Sequence, residues 1–254
     1  MIKPSAAADT HPLADGVLAL SGGFAFLTAS RALLCADAHL GYEDAIGGGG
    51  ALPLWSTTEI IASIVLAARR HAAEEIVFLG DAIHGAALSE GAARRVVAAL
   101  DVLRAQARVT IVAGNHEGRS RGVAILGPTL EDCRRDGWTL THGDRPVPGA
   151  GRTIIGHLHP SLHLDGDRSV PAFLAAPALV VVPALTPYST GLDVLGTGIR
   201  DALRPWNVTR RELQVVAATA ERVFPFGTLS VLAGLHARGA MPSQPARRRR
   251  LRPG

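Results

Sequence analysis

Short apolar runs recur along the chain, and most of them stop at a polar block. Gly16–Leu20 and Phe24–Thr28 alternate weakly around Gly22-Gly23, which predicts a hairpin closed by a two-residue turn. Arg31–Ala36 predicts a further strand. After Glu75, Ile76-Val77-Phe78-Leu79 is apolar and partly β-branched, so the stretch Glu75–Leu79 reads as a buried strand. Arg108–Ala113 repeats it, and Trp138–Thr141, Arg152–Ile155 and Leu179–Val182 are shorter strand signals. Leu213–Ala217 and Arg222–Phe226 predict a closing hairpin, with a helix over 209–221 as the alternative.

Between the early strands the period changes from two to that of a helix. Ser56 with Glu59 three residues later makes a capping box, and Ile60, Ile61, Ile64, Val65 and Ala68 follow at helical spacing. This helix should end near His71, where a cation suits the helix dipole. Ser89–Gln106 predicts a second helix with Val96, Val97, Leu100 and Leu103 on one face. Strand, helix, strand, helix, strand in this order implies a parallel βαβ core. Residues 1–14, with Pro4 and Pro12, read as a loose arm. The sequence beyond Arg238 is poor in core-forming residues. The expected organisation is one domain over 1–237 followed by a basic, disordered tail over 238–254.

Composition narrows the class. The chain has 254 residues, of which 47% are hydrophobic, enough for a sizeable core. Its 2 cysteines, Cys35 and Cys133, do not make a disulfide framework, and no signal-peptide pattern is present, so a cytoplasmic location is expected. The most apolar stretch, Val170–Leu185, is broken by Pro171, Pro177 and Pro183 and is too short to span a bilayer. The net charge of +4 is concentrated in Arg247–Arg250 and Arg252, and without them the body is close to neutral. That tail can hold phosphate backbones nonspecifically, but a solvated terminus is the expected reading. Only 4% of residues are aromatic, so platforms for stacking bases are not expected.

The polar blocks carry the chemistry. They are Asp37-Ala38-His39, Gly80-Asp81-Ala82-Ile83-His84, Gly114-Asn115-His116-Glu117, Thr141-His142-Gly143-Asp144 and Gly156-His157-Leu158-His159. Each follows a predicted strand, and open α/β sheets place their ligands at the carboxyl ends of strands. Carboxylate, amide and imidazole suit Mn²⁺, Fe²⁺ or Zn²⁺. On a strand, Asp37 and His39 point the same way and can grip one ion; His157 and His159 can serve one ion each if the turn splays them. Asp81, at the end of the central strand, is placed to bridge two ions. A lone histidine is more often structural or exposed, but five such blocks in series point to one site. Neither a Ser-His-Asp signature nor a cysteine nucleophile motif is present, and Gly47–Gly50 lacks the Lys-Ser/Thr of a phosphate-binding loop. The segment Gly41–Pro53 reads equally as a mobile loop facing the substrate and as an inert insertion.

The series D-A-H, G-D-x-x-H, G-N-H-E, T-H-G-D and G-H-L-H resembles the calcineurin-like metallophosphoesterase superfamily over about residues 31–160. The resemblance implies an α/β fold in which a two-sheet β-sandwich is flanked by helices, with two divalent metal ions at the strand ends. Mn²⁺ is the leading metal, with Fe²⁺ or Zn²⁺ as alternatives. By position, Asp37, His39, Asp81 and His159 would hold the first ion, and Asp81, Asn115, His142 and His157 the second. His116 would protonate the leaving oxygen, oriented by Glu117, where many members have aspartate. A hydroxide shared by two ions about 4 Å apart would attack phosphorus in line.

Asp37-Ala38-His39-Leu40-Gly41-Tyr42-Glu43, Leu52-Pro53 and Gly80-Asp81-Ala82-Ile83-His84 are similar to the repair-nuclease-related branch, which includes the DNA-ligase-associated and the archaeal SbcD-related phosphoesterases. Val170-Pro171-Ala172-Phe173, Val182-Pro183-Ala184-Leu185 and Thr190-Gly191 are similar to the tail of the ligase-associated group. Tyr42-Glu43 departs from that group, which typically carries lysine after the glycine, and stands nearer the archaeal pattern. His84 matches a histidine near the scissile phosphate; an outlying histidine is the alternative. The implied function is a metal-dependent phosphodiesterase or DNA endonuclease linked to repair, with a DNA ligase or helicase as partner and no membrane association. The alternatives are a small-molecule phosphodiesterase or phosphomonoesterase, and a non-catalytic repair module.

Overall fold

The alternation within each strand sorts its side chains to two sides. In β4 (Ala32–Cys35), Ala32 and Leu34 enter one core while Leu33 and Cys35 enter another, and in β5 (Glu75–Leu79) Val77 and Leu79 part from Ile76 and Phe78 in the same way. A strand buried on both faces must lie between two apolar layers. The computed structural model describes residues 8–43, 55–85, 88–116, 121–163, 168–209, 211 and 213–237, and shows those layers.

The first sheet runs β1 (Thr10–Ala14), β2 (Val17–Leu20), β3 (Ala25–Leu27), β4, β5, β6 (Arg108–Val112). Its last three strands are parallel, joined through α1 (Trp55–Arg70) and α2 (Glu90–Arg104). The second sheet is centred on β8 (Trp138–Thr141), β9 (Arg152–Ile155) and β12 (Leu179–Val181), again parallel, and β7 (Asp132–Arg135) edges it. On its other side lie β11 (Ser169–Ala176), β10 (Pro160–His163) and β13 (Leu192–Asp193). The hairpin of β14 (Gln214–Ala218) and β15 (Val223–Thr228) pairs with β11. Three short helices complete the described chain: α3 (Arg121–Leu126), α4 (Thr197–Ala202) and α5 (Leu229–Ala237).

Three cores follow. Leu34, Val77, Leu79, Trp138, Ile154, Phe173 and Val180 fill the space between the sheets. Ile60, Ile64, Val96, Leu100 and Leu103 of α1 and α2 cover the outer face of the first sheet. Ile199 of α4 and Leu229 and Leu232 of α5 pack over Leu174, Val181 and Val215 of the second. The architecture is the expected αββα sandwich. Trp138 is fully buried in the central core, so truncating it to alanine should cost about 3–5 kcal/mol.

At the amino end of β5, away from the ligand-bearing turns, a buried charge ties the sheets together. Glu75 is fully buried and accepts two 2.8 Å hydrogen bonds from Arg135 of β7, with Arg108 at 3.1 Å and Thr110 at 2.6 Å on β6. Burial pushes the carboxyl pKa up, but these donors outweigh it and bring it from 4.5 to about 2.

Several expectations need correction. The supposed loose arm contains β1, because Thr10–Ala14 pairs with β2 and buries Leu13; residues 1–7 lie outside the described residues. The Gly22-Gly23 turn is a 3₁₀ turn over Ser21–Gly23. Helix α1 begins at Trp55, one residue before the expected cap Ser56, whose side chain lies outside the described residues. Ser89 does cap α2, accepting from the Ala92 amide at 3.2 Å. The span 209–221 contains strand β14, not a helix, because its buried residues pair with β11. Strands β7, β10, β11 and β13 were not legible from the pattern. Gly47–Gly50 and the tail 238–254 lie outside the described residues. Among the described residues, no helix is long and apolar enough to cross a membrane.

Candidate metal centre

The carboxyl ends of both parallel runs open on the same place. Asp37 and His39 follow β4, Asp81 and His84 follow β5, Asn115 and His116 follow β6, His142 follows β8, and His157 and His159 follow β9. The turns are held by hydrogen bonds that extend the ladders: His39 N–H donates to the Asp81 carbonyl at 2.9 Å and Gly156 N–H to the His142 carbonyl at 2.9 Å. Across the seam, Thr186 N–H donates to the Asp37 carbonyl at 3.2 Å.

The backbone bends sharply to aim these side chains. Asp37, His39, Asp81, His157 and His159 all take positive φ, between 42° and 60°. An L-residue pays roughly 1–2 kcal/mol for that conformation. A glycine would relieve the strain, but it would bring no ligand atom. Asp37 and His39 are therefore aimed by left-handed turns beyond the strand, not by strand alternation as the spacing suggested.

Ligand atoms converge in three groups, each within 4.8 Å: Asp37, His39 and His159; Asp81, His142 and His157; and His39, His84 and His116. Thus His157 and His159, two residues apart, join different groups. Asp81 Oδ2 lies 3.5 Å from His142 Nε2, 3.8 Å from His116 Nε2 and 4.0 Å from His39 Nε2, so it faces all three. Its Oδ1 accepts from the His116 amide at 2.9 Å, and Asp37 Oδ2 accepts from the His157 amide at 2.8 Å.

The donor set fits divalent ions. Asp37 and Asp81 are buried, and among the described residues the only basic side chains within 4.0 Å of their oxygens are imidazoles. Asp37 Oδ1 and His39 Nδ1 are buried without a hydrogen bond; His159 Nε2 stands 3.1 Å from that Oδ1 but out of alignment with it. His142 Nδ1 donates to the Leu79 carbonyl at 3.0 Å, so a neutral ring presents a lone pair at Nε2, 2.9 Å from Asn115 Oδ1. His157 Nδ1 lies 3.0 Å from the same His142 Nε2, so Asn115, His142 and His157 meet at one point. Burial chiefly lowers the His39 pKa to about 4, against the pull of Asp81 and Asp37. Burial and His142 lower that of His157. Both rings are therefore neutral near pH 7, the form that ligates a metal. His159 differs: burial lowers its pKa, but the Asp37 and Asp81 carboxylates outweigh that and raise it.

His116 stands at the open side, with its side chain 40% exposed. Its Nδ1 donates to the His84 carbonyl at 3.0 Å. Glu117, expected to orient it, lies outside the described residues. Burial and His116 lower the His84 pKa. The sequence reading missed Ser189, whose Oγ lies 2.8 Å from His159 Nδ1; nothing in its surroundings, Thr186-Pro187-Tyr188-Ser189-Thr190, marks it as a contact of the site. A cavity of about 30 Å³ beside His159, lined by Ser161, Thr186, Ser189 and Gly191, is water-sized.

No protein-family model and no curated protein matches the sequence. Among solved structures, the crystal structure of the Pseudomonas putida nuclease MPE is similar: 21% identity, 83% of this chain and 94% of that one covered, TM-score 0.63. The likeness shows a shared fold, the two-sheet sandwich flanked by helices described above. The E. coli phosphoesterase Yfce is 18% identical over 72% of this chain and 86% of its own, with a TM-score of 0.37.

Proposed function

We propose that the chain is a divalent-metal-dependent phosphodiesterase that cuts DNA. The observation that carries this reading is the pairing of two buried carboxylates and their converging imidazoles with a half-exposed histidine, His116, held by its far nitrogen. The fold shared with a nuclease supports it.

In this reading Asp37, His39, Asp81 and His159 hold one ion, and Asp81, Asn115, His142 and His157 the other; carboxylate, amide and imidazole donors together suit Mn²⁺, Fe²⁺ or Zn²⁺. Such ions supply Lewis acidity toward the phosphoryl oxygens and the attacking water. The chain does the rest. His116 keeps its Nδ1 proton on the His84 carbonyl, so Nε2 is the atom that hands a proton to the leaving oxygen. His84, neutral near pH 7, offers a ring N–H to a phosphoryl oxygen.

Cleavage of end-labelled DNA in Mn²⁺, wild type beside Asp81→Ala, tests the proposal. Wild type should cut, and the variant should lose both cleavage and metal, because Asp81 serves both ions. Normal metal content in the variant would refute the bridging role. Intact DNA beside rapid turnover of an aryl monophosphate would overturn the nuclease reading.

A further inference from the structure

The sequence contains 2 tyrosines, and the fold brings them together at the mouth of the site. Tyr42 follows β4 of the first sheet and Tyr188 follows β12 of the second. Their ring centroids are 4.7 Å apart. Tyr42 also meets His84 edge-on at 4.2 Å, and His84 lies 5.6 Å from His116. A row of rings therefore leads from His116 through His84 and Tyr42 to Tyr188.

Core packing does not account for this row. Tyr188 is 45% exposed, and no other phenylalanine, tyrosine or tryptophan among the described residues is as open to solvent. Neither phenol hydroxyl has a hydrogen-bond partner among the described residues, so the polar ends do not fix the rings in place. An open aromatic face next to a site for a phosphoryl group is suited to a flat ring one ester bond away. Stacking of that kind tolerates any base, since each has a π-face.

We infer that Tyr42 and Tyr188 form a shelf that stacks the nucleobase adjoining the scissile phosphate, which makes nucleotide esters the substrate class. The inference rests on the phosphodiesterase reading for its phosphoryl site, and it assigns both tyrosines as positioning residues. The scarcity of aromatic residues argued against a stacking platform, but here two rings at one point suffice.

Two measurements test it on the full chain. The first needs no turnover. With tyrosine rings isotope-labelled and the site loaded with diamagnetic Zn²⁺, thymidine 5′-monophosphate should shift the ring resonances of both tyrosines upfield, while methyl phosphate should not. Equal responses to the two ligands would overturn the shelf. The second uses bis-(p-nitrophenyl) phosphate as reporter. Thymidine 5′-monophosphate should inhibit at least five-fold more tightly than methyl phosphate. That ratio should fall toward one in Tyr188→Ala and return in Tyr188→Phe. A ratio unmoved in Tyr188→Ala, with an intact circular-dichroism spectrum, would overturn the inference. A chain inert toward every diester whose tyrosines still respond to the nucleotide alone would keep the shelf and sink the phosphodiesterase reading.

Discussion

Gly114 lies against Asp81 so closely that a methyl group on it would sit 2.1 Å from Asp81 Oδ1 and 2.3 Å from the Asp81 amide nitrogen. The G of G-N-H-E is therefore set by the central carboxylate, which needs the neighbouring strand end to have no side chain. Gly114→Ala should displace Asp81, lower metal content and slow turnover by about 10²-fold, the scale of a 1 Å misplacement. It should also cost about 1–3 kcal/mol through overpacking. Gly151→Ala is the control, because a methyl group there meets nothing within 4 Å. Equal metal content and turnover in the two variants would show that Asp81 does not need the space.

His116 touches the site from its open side, and its backbone amide, not its ring, supports Asp81. His116→Ala keeps that amide. Metal content should stay at the wild-type level while turnover falls by roughly 10²-fold or more, the usual scale for one general acid. Elemental analysis beside kcat measures both. Loss of metal would make the ring a ligand instead.

Glu75 predicts an acid limit to stability. Its pKa in the folded chain, about 2, lies below its ordinary 4.5, so its contribution is fully present above about pH 4.5 and disappears as the pH falls through about 2. The linkage is roughly 2–3 kcal/mol, after discounting Arg108, whose side chain is 66% exposed. Urea unfolding across this window should show the wild type losing that much more stability than Glu75→Gln. Parallel profiles would mean that the ion pair contributes nothing.

Ser189 fixes one face of His159 through the 2.8 Å contact at Nδ1. Removing such an outer partner of a ligating imidazole typically weakens metal affinity 10- to 100-fold. Ser189→Ala should show this by calorimetric titration with Mn²⁺, with the fold unchanged by circular dichroism. Unaltered affinity would leave the contact structural only.

How much of this was legible in the sequence depends on the distance over which each feature is encoded. Trp138–Thr141 and Arg152–Ile155 emerge as strands with the expected bounds, because local apolar runs define them. Strand β13, two residues long, exists only because β10 lies beside it, and β1 owes its place to β2; neither has a periodic signal of its own. The site divides in the same way. Asp37, His39, Asp81, Asn115, His116, His142, His157 and His159 each follow a readable strand and a punctuating polar block. Ser189 and Tyr188 come from an irregular segment whose approach to the site is fixed by the Thr186 amide reaching Asp37, a contact between residues far apart in the chain. The left-handed turns were not legible either, since aspartate and histidine do not announce positive φ as glycine does.

The seam between the sheets gives the centre one more property. The two groups built on Asp37 and Asp81 each draw on both sheets, and the Asp37 carboxylate takes its hydrogen bond from the far side, at the His157 amide. The site is in effect a vernier for the alignment of two rigid plates. A slip of one atom's width would part its halves and leave every ladder within each plate whole. Catalysis should then fade early in a denaturant titration, while the far-ultraviolet signal of the strands still reads as native.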